Sequence, residues 1–316
     1  MNNSIPVLII AYRRKDSLRE ILRLCEVNGV NKIYVAIDGP KNNSVAGKRD
    51  NFEMNMLVSD FSKQFSGVVF LFNRSKNIGC AASVLSACDW IFEKESAAMI
   101  LEDDCKPTSD FFRFSQLAVE VINRDERIWL SCGTQFMPED SRMDSWFLSK
   151  YPLTWGWSTT REKWLEISAE LKLNKTIKAT DVSKAETIYW NAGARRAQRG
   201  WVDVWDTVLA QRLIALNKLV ILPKNCLISN VGNDSFATNT TDPAKWVETK
   251  IGNFMTPKNF PIHEPKIDLW LRAEFFKISK RHLITTKITW IKDFFMYFRK
   301  PYRPLTKRWS MAKWHR

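Results

Sequence analysis

The 316-residue chain holds only three histidines, His263, His282 and His315, all beyond position 260. That scarcity argues against a histidine-based hydrolase, and no G-x-S-x-G elbow supplies a serine nucleophile. The six cysteines (Cys25, Cys80, Cys88, Cys105, Cys132 and Cys226) form no C-x-x-C pair and no zinc spacing. They read as reduced thiols of a cytosolic protein. No apolar run approaches the roughly 20 residues of a membrane span. The N-terminus enters a strand-like apolar segment at 5–10 without the longer apolar core of a signal peptide. No G-x-G-x-x-G follows the first strand and no G-x-x-x-x-G-K-[S/T] occurs anywhere, which argues against a dinucleotide fold and a P-loop. Neither an internal repeat nor a recognised nucleic-acid module is present, so no nucleic-acid partner is expected.

What remains is a globular composition, 45% hydrophobic and 26% charged. The length suits one large domain or a domain with appendages. The formal charge is +14, and residues 267–316 contribute +10 of it, with 13 Lys/Arg against 3 Asp/Glu. The chain therefore divides into a main domain over 1–265 and a basic segment over 266–316. In that segment Leu269-Trp270-Leu271, Phe275-Phe276, Trp290-Ile291 and Phe294-Phe295-Met296-Tyr297-Phe298 are interleaved with lysine and arginine. This pattern fits an amphipathic interfacial anchor drawn to anionic lipid. The alternative is that the aromatic residues pack on the main domain while the cations stay solvated. The fourteen tryptophans likewise suit core, sugar stacking or an interface.

Hydrophobic periodicity predicts strands at 5–12, 32–37, 68–72, 97–104, 128–132 and 220–223. Helical patterns lie at about 18–27, 49–64, 81–94, 111–123, 161–171 and 181–198, and again up to 216. The β-α-β-α-β-α-β alternation of the first hundred residues indicates an α/β fold with a parallel sheet. Regularity is lost over 147–160, a stretch rich in aromatic and small residues. The decisive segment is Ala97-Ala98-Met99-Ile100-Leu101-Glu102-Asp103-Asp104, an apolar strand that ends in three acids. Open α/β sheets bind ligands outside the carboxyl ends of their strands. Adjacent carboxylates there call for a cation, and a divalent metal carrying phosphate is a natural candidate; the alternative is an acidic strand-to-loop transition on a solvated surface.

Two further acidic positions lie at or near strand ends. Asp38 suits recognition of a base or ribose through its acceptor oxygens. The Asp203/Asp206 pair could provide a general base, since desolvation raises a carboxylate pKa toward working pH. For Asp206 the competing reading is an acid placed at a helix N-terminus by the macrodipole. Arg13, Arg14, Arg74 and Lys76 follow the first and third strands, where cations would complement a diphosphate. Trp155 and Trp157 offer either sugar stacking or core packing.

These residues carry a resemblance. Residues 5–12, Asp38-Gly39, Ile100-Leu101-Glu102-Asp103-Asp104, Ser109-Asp110-Phe111-Phe112, Trp155-Gly156-Trp157, Trp164, Trp205-Asp206 and Asn230-Val231-Gly232 occur in the order seen in glycosyltransferases of the GT-A fold. The set is most similar to the N-acetylglucosaminyltransferase I family and its bacterial sugar-transferase relatives, over residues 4–243. The resemblance implies a mostly parallel sheet flanked by helices and a nucleotide-diphosphate sugar donor. Tyr12, Arg14, Asp38, Arg74, Lys76, Glu102, Asp103 and Trp157 would then contact the nucleotide sugar. Asp104 would ligate Mn²⁺ or Mg²⁺. Asp206, with Asp203 in reserve, would deprotonate the acceptor in an inverting displacement. It further implies a saccharide or lipid-linked oligosaccharide acceptor in bacterial surface polysaccharide or lipopolysaccharide synthesis. The enzyme would be cytoplasmic and peripheral on the inner face of the membrane. Thr238-Asn239-Thr240 stands where such relatives often carry Thr-His-Thr, so a histidine there is lacking. A nucleotidyltransferase making a nucleotide sugar is the enzymatic rival, and a carbohydrate- or membrane-binding protein the non-catalytic one.

Overall fold

A computed structural model describes residues 4–41, 44–138, 144–173, 182–232 and 251–278. Four apolar strands, β1 (Val7–Ala11), β2 (Lys32–Ile37), β3 (Val68–Asn73) and β4 (Ala97–Glu102), alternate with helices α1 (Lys15–Val27), α2 (Val45–Gln64) and α3 (Cys80–Phe92). They pair in parallel, β3 on β2, β2 on β1 and β1 on β4. The chain continues through β5 (Cys105–Pro107), α4 (Ser109–Ile122), β6 (Ile128–Cys132), β7 (Trp146–Ser149) and β8 (Trp157–Thr160). After these come α5 (Arg161–Lys172), α6 (Lys184–Gln198), α7 (Asp206–Ala215), β9 (Leu219–Pro223) and β10 (Ile228–Asn230). One eight-stranded sheet results, in the order β3-β2-β1-β4-β8-β6-β9-β7. It is the mostly parallel, helix-flanked α/β sheet that the sequence predicts.

Alternation along the strands explains the layering. In β1, Leu8 and Ile10 face the core under α3, α5, α6 and α7, while Val7, Ile9 and Ala11 face the core under α1, α2 and α4. Both faces of β1, β2 and β4 are buried, which is why these strands read as continuous apolar runs, whereas β3 at the sheet edge is only partly buried.

The sequence did not predict β7 and β8. β8 is Trp-Ser-Thr-Thr, polar in composition, yet it lies fully buried and antiparallel between β4 and β6. Its hydroxyls are satisfied inside the sheet. Ser158 and Ser131 share a hydrogen bond of 2.5 Å, and Thr159 Oγ1 donates to the Trp129 carbonyl at 2.6 Å. A buried hydroxyl with a partner costs little, so polarity was a poor guide here.

The boundary drawn at 265 falls at the start of α8 (Pro265–Trp270), which runs into a π-helical turn at Leu271–Phe275. Ile267, Leu271 and Ile278 are buried in the domain core. Phe275 stacks on Phe136 at 4.5 Å, and Phe276 packs edge-on to Trp190 at 4.9 Å. The first part of the basic segment is thus packed on the domain. The rest of it, 279–316, and Thr238-Asn239-Thr240 lie outside the described residues.

Candidate active site

The carboxyl ends of β1, β2 and β4 open on one side of the sheet, and the acids collect there. Asp103, just past β4, is buried. Its Oδ2 accepts the backbone N–H of Tyr12 at 2.7 Å, Arg13 at 3.3 Å and Arg14 at 3.4 Å. Three successive amides converging on one oxygen form an anion nest, here filled by the protein's own side chain. The Arg14 guanidinium returns to Asp103 Oδ1 at 3.1 Å and approaches Asp104 Oδ2 at 3.6 Å. Arg14 also donates to the Gly232 carbonyl at 3.4 Å. A β-carbon on Gly232 would come within 2.4 Å of Asp104 Oδ2, so glycine lets this backbone lie over the carboxylate without displacing it. Tyr12, Arg14, Asp103 and Asp104 are therefore brought together, along with Asn230-Val231-Gly232.

Glu102 ends β4 and makes no side-chain hydrogen bond among the described residues. Burial first, then the charges of Asp104 and Asp103, push its pKa up, and Arg14 offsets only part of this. Burial and Asp103 raise Asp104 in the same way. The cluster is short of positive charge. Among the described residues no group of three or more His, Cys, Asp or Glu side chains is arranged to hold a metal alone.

Asp206, the first residue of α7, is the fourth acid of this region. It is exposed to solvent, and the protein packed around its carboxylate raises its pKa. Its Oδ1 accepts the Thr207 N–H at 2.7 Å. Its Oδ2 has no hydrogen bond among the described residues. Asp206 acts electrostatically on Glu102, and both act on the Cys80 thiol together with Asp203 and Asp104, so all four lie within electrostatic reach of that thiol. The same field, on top of burial, holds Cys80 well above the ordinary thiol range and makes it a poor nucleophile.

Asp203 does something different. Its oxygens accept the N–H of Cys80 at 3.0 Å and of Ala81 at 3.3 Å, capping α3 from 123 positions away in sequence. Gly79, at φ +89°, makes room for it, since a β-carbon there would sit 2.4 Å from Asp203 Oδ2. Asp38 is engaged in a similar way. Its carboxylate accepts from Gly39 N–H at 2.9 Å, Ile78 N–H at 3.1 Å and Asn77 Nδ2 at 2.8 Å. Burial nonetheless pushes it up to about 6. Together Asp38 and Asp203 fix the turn over 77–81.

The remaining sequence candidates are engaged elsewhere, although the charge of Arg74 also acts on Asp38. Arg74 is buried, donates to Ser83 Oγ and Ser86 Oγ of α3 at 3.2 and 2.6 Å, and lies 4.3 Å over the Phe72 ring. Lys76 is exposed, and its backbone presses on Gly39. Trp157 is in the core, 5.3 Å from Trp205 and 6.1 Å from Trp164. Sequence reasoning missed Gly79, whose signal was a glycine immediately before a helical pattern.

No family model matches the sequence, and no curated protein matches it. Among solved structures, HddC from Yersinia pseudotuberculosis is 13% identical over 50% of this chain and 77% of its own, with a TM-score of 0.33. The same protein complexed with GMP-PN gives 10% identity, 49% and 77% coverage and a TM-score of 0.32. A UDP-glucose pyrophosphorylase complexed with UDP-glucose is 6% identical over 69% of this chain and 90% of its own, with a TM-score of 0.37. Likeness this distant carries no argument about activity.

The two neighbouring acids separate by stability. Asp203→Ala leaves two buried amides uncapped and is expected to cost about 1–2 kcal/mol. Asp206→Asn, which keeps its bond to Thr207, is expected to stay within about 0.5 kcal/mol of wild type. Urea unfolding measures both, and equal losses would contradict the division of roles.

Proposed function

We propose that the chain is a glycosyltransferase that moves a sugar from a nucleotide-diphosphate donor to a saccharide acceptor. One observation carries the reading: Asp206 is solvent-exposed, its Oδ2 has no hydrogen bond among the described residues, and its charge acts on Glu102 at the end of β4. A carboxylate with an available oxygen and a raised pKa suits a general base. The charge-deficient pair beside Arg14 suits the donor's diphosphate.

Mg²⁺ and Mn²⁺ are commonly held by one or two carboxylates together with substrate phosphates, not by an all-protein cage. Asp104 and Glu102, crowded and under-neutralised, fit that kind of shared site, with Asp104 as the ligand. A bound divalent cation would neutralise charge on the departing diphosphate. Asp103 keeps the β1–α1 turn in place, and Arg14 lends its charge at the donor side. Asp206 receives the acceptor proton as the acceptor oxygen attacks the anomeric carbon from the face opposite the leaving group. The products are a glycoside of inverted configuration and a nucleoside diphosphate.

The second reading is a nucleotidyltransferase that joins a sugar 1-phosphate to a nucleoside triphosphate and releases pyrophosphate. A UDP-glucose pyrophosphorylase is among the solved structures compared. At that TM-score it decides nothing. Product analysis separates the two. UDP-, GDP- and dTDP-hexoses with methyl hexoside acceptors and Mn²⁺ should yield nucleoside diphosphate and glycoside, and Asp206→Asn should lower turnover by about 10²–10⁴-fold. Pyrophosphate-dependent formation of a nucleoside triphosphate instead would establish the second reading.

The basic segment is assigned to an anionic membrane surface on the cytoplasmic side, beside a lipid-linked acceptor. Thirteen Lys/Arg against three acids over 267–316 support it. Because 265–278 pack on the domain, the informative deletion is 279–316. Such a protein should remain folded and stop sedimenting with phosphatidylglycerol vesicles. Unchanged sedimentation would remove the membrane assignment.

A further inference from the structure

We infer that α2 is a self-docking surface, on which a second copy of this chain packs its own α2 in antiparallel orientation. The helix joins β2 to β3, and β3 is the edge strand of the sheet, so α2 is the outermost helix of its layer. Its inner side packs on β2, β3 and α1, with Met54 and Val58 buried. The outer side of such a helix is ordinarily charged and polar. Here it also carries Val45, Phe52 and Met56, which are 86%, 64% and 43% exposed.

Their spacing makes one stripe of the three. Steps of seven and four residues are close to whole turns, so Val45, Phe52 and Met56 follow one another along the helix, on the side opposite Met54 and Val58. Two-fold symmetry governs how two such stripes meet, because a contact from i to j repeats as j to i. An axis midway between Phe52 and Met56 brings Phe52 of each copy onto Met56 of the other. A thioether sulfur against an aromatic ring is a favourable contact.

That register, set by Phe52 and Met56 alone, decides the rest. Arg49 comes opposite Asp60, and both are exposed on the same flank of the stripe. The two copies are thus complementary in charge at both ends of the contact. Val45 comes opposite Lys63, whose methylene stem can cover it while the ammonium stays in water. Within one copy Arg49 lies 3.7 Å from Glu53 and Lys63 lies 2.8 Å from Asp60, exposed pairs that hold these charges only weakly. The 20-residue helix is about 30 Å long. Two of them packed together bury less than the roughly 1,600 Å² of a standard interface, so the dimer is a concentration-dependent equilibrium and not an obligate assembly.

Sedimentation velocity of the full chain from about 1 to 100 µM, in about 0.15 M salt, tests this. Wild type should pass from monomer to dimer over that range. Phe52→Asp, at an exposed position, should raise the dimer Kd about 100-fold while the circular dichroism spectrum stays that of wild type. Asp60→Arg sets Arg49 against a second arginine and should raise Kd about tenfold, and adding Arg49→Asp should restore it. A wild type that stays monomeric, association that runs past the dimer, or a dimer indifferent to Phe52→Asp would overturn self-docking through α2. Failure of the reversed charge pair to restore association would overturn the antiparallel register.

Discussion

The site depends on one buried carboxylate, Asp103, and the amides it gathers. Three consecutive N–H groups of the β1–α1 turn converge on its Oδ2, and Arg14 folds back onto its Oδ1. A buried charge this well solvated by the protein can stay in place, whereas an unpaired one would be costly. Through that bond the ends of β1 and β4 are locked at one height, and Arg14 is delivered to Asp104. Glu102 and Asp104 have no comparable support, and that imbalance gives the region its chemical potential.

A second pair of carboxylates performs the same service on the other side. Asp38 and Asp203 spend their oxygens on the turn over 77–81, the first from the end of β2 and the second from the segment before α7. Since Asp203 lies three residues before Asp206, the cap on α3 also fixes where α7 begins. The positions of Asp206 and of the β4 acids are thus set by one connected framework. Preorganisation of this kind is what electrostatic catalysis requires, because the groups need not move when charge develops.

Much of this was legible in the sequence, and the part that was not has a physical cause. The four parallel strands and their helices follow from apolar periodicity, and the acids of 102–104 could be located because a buried strand must end where its apolar run ends. The use to which each acid is put could not be read. Asp203 caps a helix 123 positions earlier, and Asp38 is consumed by the Asn77-Ile78 turn. Both are through-space relations that no local pattern encodes. Arg74 and Trp157 sit at plausible spacings, yet one is tied to serines of α3 and the other is core. β8 was missed because its hydroxyls find partners within the sheet.

The most direct measurement is calorimetric titration of nucleoside diphosphates with and without Mn²⁺, on wild type and on Asp104→Ala. A crowded acidic pair that serves a donor diphosphate should bind one nucleoside diphosphate only when Mn²⁺ is present, and Asp104→Ala should abolish that binding while the protein stays folded. Absence of binding to every nucleotide, or binding indifferent to both Mn²⁺ and Asp104, would contradict the assignment of this cluster to a nucleotide sugar.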